Sequence, residues 1–371
     1  MSADRIRAAR ELLGLSQGEL AGAAGLSQGL ISQVERGQRA ATEETLRAIA
    51  RSTGLPWKFF TKEPRPASDD SLRFRKYQTA SAKDTTRARR TFSELADAAS
   101  DLMEWAKQPV PDLPSRPSGR LDGDSIEEVA LRARSALDID AEGPIRHFTR
   151  ALEKASVPVA PIVFADLSGE ERDEVAAVGH FGLSSRSGDN CRPVVGFFPS
   201  SGDRQRFTLA HELGHLVLHA ESAAGPEQEK EADRFAGAVL MPAASARRTL
   251  SSTLTLRDFA LVKAEWGISI QALVMRAFHL GLIDDDRRTS LYKQISARGW
   301  RRVEPVVVKN ESPVLLGMLI QRRYGGQGNV YLRAAEDIGL PPVQLRSTMP
   351  PPPGRHDPPD GLGDVIHWKP R

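Results

Sequence analysis

The sequence predicts a multidomain chain in which a small all-α unit is followed by a mostly helical α+β unit. Three observations predict it. The 371 residues exceed what one hydrophobic core usually accommodates. Residues 1–61 carry short helical patterns punctuated by Gly and Ser, with no strand-like alternation. Residues 121–300 mix two apolar, β-type runs with several helical patterns.

Composition narrows the function classes. Apolar residues make up 40% and charged residues 27%, ordinary for a folded protein, while 25 prolines point to linkers or a loose tail. The net charge of +3 is too small to argue for nucleic acid from the whole chain, so such a partner has to be argued from a local element. The single cysteine, Cys191, allows no intramolecular disulfide and no zinc ribbon, which fits a reducing cytosol. The N-terminus lacks the apolar stretch of a signal peptide, and no run of 18 apolar residues occurs, so the expectation is a cytoplasmic protein with no membrane partner.

In chain order, helical patterns run over 5–13, 17–24, 28–36 and 43–53, forming a first domain at 1–61. Residues 62–120 read as a connector. It opens on the turn-rich KEPRPASDD, continues through an Arg- and Lys-rich stretch at 73–90 expected to be exposed, and ends in the proline-rich segment 109–119. Between these, Phe92, Leu95, Ala99, Leu102, Met103 and Ala106 mark an amphipathic helix of about four turns. In the second domain, 121–300, helices are expected at 125–137, 144–155, from about 205, and at 227–240, 256–265 and 269–281. Strands are expected at 157–164 and 192–198. Residues 301–371 form a C-terminal extension whose proline-rich end, 348–364, cannot bury a core and is expected to be disordered.

Chemistry concentrates in His211-Glu212-Leu213-Gly214-His215. Residues four apart on a helix lie nearly one above the other, so His211 and His215 can direct two imidazoles at one metal ion, with Zn2+ the expected cofactor. Glu212 sits about 100° around the same helix, placed to take a proton from water at the open coordination position and pass it to a leaving amine. Gly214 allows another element to approach, and Thr208 or Asp203 is expected to cap the helix start. His219 continues the four-residue spacing, but eight residues of helix rise about 12 Å, too far from His211 for one ion, so it reads as a helix-terminal histidine. Glu229 and Asp233, one turn apart on the next helix, are better placed. Glu229 can complete a His-His-Glu site and Asp233 can accept the free ring N–H of His211. Glu231, on a different face, is the second choice of ligand, and a merely solvated charged face is the plain alternative.

With its flanks, RFTLAHELGHLVLH followed by EKEADRFAGAVLMP, this segment resembles the ImmA/IrrE family of zinc metallopeptidases over roughly 125–300, most diagnostically at 206–242. The resemblance implies a zincin-like fold, zinc held by His211, His215 and Glu229, and Glu212 as catalytic base. It also implies regulated proteolysis, since such proteins cleave or inactivate repressors or carry a repressor's DNA-binding domain in the same chain. The family's strand before the metal helix usually ends in Asn, whereas here the text is VVGFFPSSGD. Phe197 and Phe198 either belong to the core or line a cleft where an extended substrate adds as a strand.

Residues 15–37 resemble the Cro/C1 (XRE) helix-turn-helix, implying a λ-repressor-like domain. Ala21 is small where two helices cross, Gly25 makes the turn, and Leu20, Leu26, Ile31 and Val34 form the shared core. Ser16 and Ser27 are the N-caps. Gln17 and Gln28 stand at the first turns of their helices, and the resemblance implies that they cooperate on an adenine and a phosphate. Gly29, Ser32 and Gln33 are expected to face base edges, and Arg10, Arg36 and Arg39 phosphates. Residues 1–60 hold eight Lys and Arg against six Asp and Glu, so affinity per domain should be modest and a homodimer on paired half-sites of a double-stranded operator is expected.

These expectations combine into a transcriptional regulator whose zinc peptidase cleaves a protein partner, such as a repressor, or its own chain. Two alternatives stay open: a zinc domain that is only a sensor or scaffold, and a protease that uses its N-terminal domain to reach a DNA-bound substrate. Glu212 favours catalysis, because zinc binding alone does not require it.

Overall fold

The structure, a computed structural model, describes residues 3–62, 73–76, 81–116, 121–164, 180–187, 192–219 and 225–352. Its first part runs α1 (Ala3–Leu12), α2 (Gln17–Ala24), α3 (Gln28–Glu35), α4 (Glu43–Thr53), α5 (Trp57–Thr61), β1 (Arg73–Lys76) and α6 (Ala82–Trp105). Then come α7 (Gly123–Ala136), α8 (Phe148–Lys154), β2 (Val159–Pro161), β3 (His180–Ser187), β4 (Arg192–Phe197), α9 (Gly202–Leu218) and α10 (Pro226–Leu240). The remainder is helical: α11 (Ala243–Thr249), α12 (Leu256–Trp266), α13 (Ile270–His279), α14 (Asp285–Ala297), α15 (Leu315–Tyr324), α16 (Val330–Ile338) and α17 (Pro342–Thr348). Among the described residues no helix is long and apolar enough to cross a membrane. Cys191 and the proline-rich end beyond residue 352 lie outside the described residues, as does most of the turn-rich start of the connector.

The described residues form two compact units, one from 1–109, 158–199 and 313–352, the other from 110–157 and 200–312. These units are not contiguous in sequence, whereas the expected boundaries near 61, 120 and 300 divide the chain linearly. The reason lies in the core of the first unit. Ile6, Leu46 and Phe59 from the N-terminal helices share a single apolar cluster with Phe92 and Leu95 of α6, Leu183 and Val194 of the sheet, and Leu319, Ile338 and Leu345 near the C-terminus. The 301–371 extension thus contains α15–α17, part of that core.

Helix α6 begins ten residues before the apolar pattern at Phe92, because Ser81 caps it by accepting from Asp84 N–H. Among its described residues the basic stretch there includes side chains tied to the fold. Arg87 Nε donates to Leu12 O at 3.2 Å, Arg90 pairs with Glu11 at 3.0 Å, and 73–76 is strand β1. Further along α6, Glu94 is buried in a 2.7 Å pair with Arg5, whose Nε also donates to Phe59 O. One guanidinium thereby ties α1, α5 and α6 together.

The sheet has the order β1-β3-β4-β2, with β1/β3 and β3/β4 antiparallel and β2/β4 parallel. The expected strands correspond to β2 and β4; β1 and β3 carry too little alternation to be read locally. β4 is an inner strand, paired to β3 on one edge and, at Val195–Phe197, to β2 on the other. Phe197 and Phe198 are buried, and Phe198 packs edge-on against Phe164. Both are core residues, and these pairings leave β4 no open edge at Val195–Phe197 for a substrate strand.

In the second unit, α9 is buried along most of its length. Its N-cap is Ser201, and the expected caps do other things: Asp203 is buried in a 2.7 Å pair with Lys263, which also meets Glu304 at 2.7 Å. Glu311 accepts from the N–H groups of Phe148 and Thr149 at 3.0 and 2.6 Å and pairs with Arg206 of α9. Gln205 donates to the Glu311 backbone carbonyl at 2.7 Å. A Cβ on Gly202 would overlap the carbonyls of Val308 and Lys309. Segment 304–311 therefore fixes where α9 starts.

Candidate functional site

Helix α9 presents His211 and His215 one turn apart, both buried, and α10 crosses it so that Glu229 reaches them. The close crossing is possible because residue 214 is Gly. A Cβ there would lie 3.0 Å from the Phe235 ring and 3.3 Å from the Ala232 backbone. Gly214→Val is expected to push the helices apart and weaken metal binding at least tenfold, with a stability cost of about 1–3 kcal/mol. Isothermal titration with Zn2+ and thermal melting of the metal-free protein check this.

The three side chains offer His211 Nε2, His215 Nε2 and the Glu229 carboxylate. The nitrogens are 3.0 Å apart, with Glu229 Oε2 3.4 Å from His211 Nε2 and Oε1 3.3 Å from His215 Nε2. Ligand atoms of a tetrahedral ion with bonds of about 2 Å are spaced by roughly 3.3 Å, so the donor set fits. His211 Nδ1 donates to Asp233 Oδ1 at 2.8 Å, leaving its Nε2 as a lone-pair donor toward the centre. His215 Nε2 lies 3.0 Å from His211 Nε2, so with neither atom protonated the two lone pairs can meet one cation. Burial raises the Glu229 carboxyl, but when the rings of His211 and His215 are protonated their hydrogen bonds and charge outweigh it and hold the group well below the usual carboxylate range. The site can therefore hold a metal ion with an anionic third ligand.

Glu212 is fully buried one residue after His211. His219 is not simply a helix-terminal histidine. It is fully buried at the C-cap of α9, its Nδ1 3.0 Å from His215 Nδ1 and its Nε2 2.8 Å from Glu231 Oε2. Glu231, the second choice of ligand, meets His219, and the group close enough together to hold a metal ion is His211, His215 and Glu229. Spacing did not expose this pairing, because it depends on how α10 crosses the end of α9.

In the first unit, α2 and α3 form the helix-turn-helix. Ser16 and Glu19 make a reciprocal capping box, Ser27 accepts from Leu30 N–H, and Gly25 closes α2 at φ 66°. Leu20, Ala21, Ile31 and Val34 are buried between the helices. On α3, Gln28, Gly29 and Gln33 are exposed and Ser32 is half-buried, while Arg36 and Arg39 are exposed beyond it. Arg10 differs from expectation. Its guanidinium is held by Glu35 at 2.6 and 3.0 Å and by Leu15 O at 3.3 Å, so it braces the domain. Gln17 Nε2 also donates to Glu35, at 2.9 Å. The buried Glu35 carboxylate thus joins α1, α2 and α3. Burial raises its pKa, but hydrogen bonds from Arg10 and Gln17 bring it below the ordinary value.

Residues 6–60 match the family model described as helix-turn-helix, and residues 177–278 match the IrrE N-terminal-like domain, a peptidase family. The second match is narrower than the 125–300 read from the sequence, but it contains His211, Glu212, His215, Glu229 and Asp233. No curated protein matches the chain. A DNA-binding type of domain and a metallopeptidase-like domain are thus joined in one polypeptide.

Proposed function

We propose that this chain is a cytoplasmic, DNA-binding transcriptional regulator whose zinc metallopeptidase domain cleaves a protein partner or its own chain. The observation that carries the reading is the convergence of His211, His215 and Glu229 at 3.0 to 3.4 Å, on the helix where Glu212 is buried next to a ligand. Bound there, zinc would polarise a peptide carbonyl and acidify water. Asp233 fixes the His211 tautomer, and Glu229 supplies the negative charge that favours a dication over a proton. Glu212 takes a proton from the attacking water and returns it to the leaving amine. A site serving only as sensor or scaffold needs the three ligands but no carboxylate at position 212.

At the other site, the exposed Gln28 and Gln33, with Gly29 and Ser32, read base edges in the major groove, and Arg36 and Arg39 meet phosphates. Gln17 Nε2 donates to Glu35, and its second N–H and carboxamide oxygen stay available to brace Gln28 or meet a phosphate, so its contribution is to orientation more than to base choice. A homodimer on paired half-sites supplies the affinity that one weakly charged domain lacks. The purified chain should contain about one zinc, and Gln28→Ala with Gln33→Ala should lower preference for a selected operator by roughly 10- to 1000-fold without changing zinc content. Elemental analysis and competition binding check both halves. A chain that takes up no zinc sinks the peptidase half, and an unchanged operator preference sinks the recognition-helix half.

A further inference from the structure

The two histidine ligands are held from behind in different ways. His211 Nδ1 meets the carboxylate of Asp233 directly, at 2.8 Å. Behind His215 stands a second imidazole, His219, at 3.0 Å between the two Nδ1 atoms, and behind that the carboxylate of Glu231 at 2.8 Å from His219 Nε2. The chain of contacts admits one self-consistent proton arrangement for a metal-binding His215. A carboxylate only accepts, so His219 carries its proton on Nε2. Its Nδ1 is then an acceptor, and the proton between the two rings belongs to His215 Nδ1. That leaves His215 Nε2 bare, on the side where His211 Nε2 and Glu229 lie.

We propose that His219 and Glu231 are positioning residues for the metal ligand His215, a two-residue relay that does for this ring what Asp233 does for His211. The inference rests on the metallopeptidase reading of the site. Its physical content is that Glu231 selects the His219 tautomer, His219 selects the His215 tautomer, and both hold the ring plane while the lone pair stays aimed at the ion. The fold builds for this. His219 sits where α9 ends, at φ −125° and ψ 21°, outside helical geometry. Both imidazoles are buried, so water does not compete for the bond between them, and the Glu231 side chain is only 20% exposed. His219 thus serves the site without being a ligand.

The test is the zinc affinity of the full chain, read by competition with a fluorescent chelator. His219→Leu fills the position with an apolar side chain that offers no acceptor, and it is expected to weaken zinc by about 10- to 100-fold. Glu231→Ala is expected to weaken it by about tenfold. His219→Asn, whose carboxamide oxygen can accept from His215 Nδ1, should recover part of the loss. Melting of the metal-free proteins should be close to wild type for Glu231→Ala. A role in packing alone would lower those melting temperatures and leave zinc affinity where it was. Zinc affinity within twofold of wild type in a folded His219→Leu protein overturns the inference; if that variant does not fold, Glu231→Ala decides by the same criterion. Glu229→Ala separates the two levels. Loss of zinc there with undiminished affinity in the relay variants rejects only the relay, whereas a wild-type chain with no zinc affinity rejects the metallopeptidase reading and the relay with it.

Discussion

Glu212→Gln is expected to lower peptide-bond hydrolysis by about 10²- to 10⁴-fold while leaving zinc content and melting behaviour close to wild type. The carboxamide has nearly the same shape and still fits the buried position, but it has no basic oxygen to receive a proton. The metal ligands are untouched, so the loss appears in turnover and not in metal affinity. A fluorogenic peptide library supplies the readout in vitro, and comparison of cellular proteins in strains carrying either form exposes the natural substrate. Equal cleavage by both forms would end the case for Glu212 as the base. Equal regulatory output from a Glu212→Gln strain would instead favour a zinc domain that senses or scaffolds.

Disrupting Glu311 should have the largest effect on stability. Its carboxylate accepts two backbone N–H groups at the start of α8 and pairs with the buried Arg206, so Glu311→Gln leaves an uncompensated guanidinium in the interior. Breaking a buried pair from one side costs about 3–5 kcal/mol. The same group sets an acid limit. Burial alone would raise its pKa, but His147, Arg206 and the Thr149 N–H bring it down to about 2 from an ordinary 4.5. A carboxyl depressed on folding contributes stability that is complete above its unfolded pKa and is lost as pH falls toward the folded one. The contribution, about 3 kcal/mol, should therefore disappear between pH 4.5 and 2. Urea transitions recorded across that range should shift steeply for wild type and far less for Glu311→Gln. Parallel curves for the two proteins would show that Glu311 is not the group responsible.

Both predictions bear on what a one-dimensional text reveals. The helix-turn-helix and the metal helix are legible because their signals are local: a cap, a glycine turn, apolar residues at helical spacing, two histidines a turn apart. Glu229 and Asp233 are legible for the same reason, being four apart on one helix. His219 is misread because helix rise tests only whether it can reach the ion, and its actual contacts belong to another ligand and to Glu231 on the next helix. Glu311 has no motif at all. Its importance comes from meeting Arg206, 105 residues away, and the start of α8. Strands β1 and β3 escape notice because they pair with each other across a gap of about a hundred residues. Arg10 looks like a phosphate contact until Glu35 is seen to occupy it.

The shared core of the first unit also imposes an order on synthesis. Leu319, Ile338 and Leu345 complete the apolar cluster that Ile6, Leu46 and Phe59 begin, and a ribosome makes them last. The unit bearing the helix-turn-helix cannot finish packing while the chain is still nascent at the metal helices. Every copy with a completed first unit has therefore already made α9 and α10, and a chain that stops before α15 lacks part of the apolar cluster that Ile6, Leu46 and Phe59 begin.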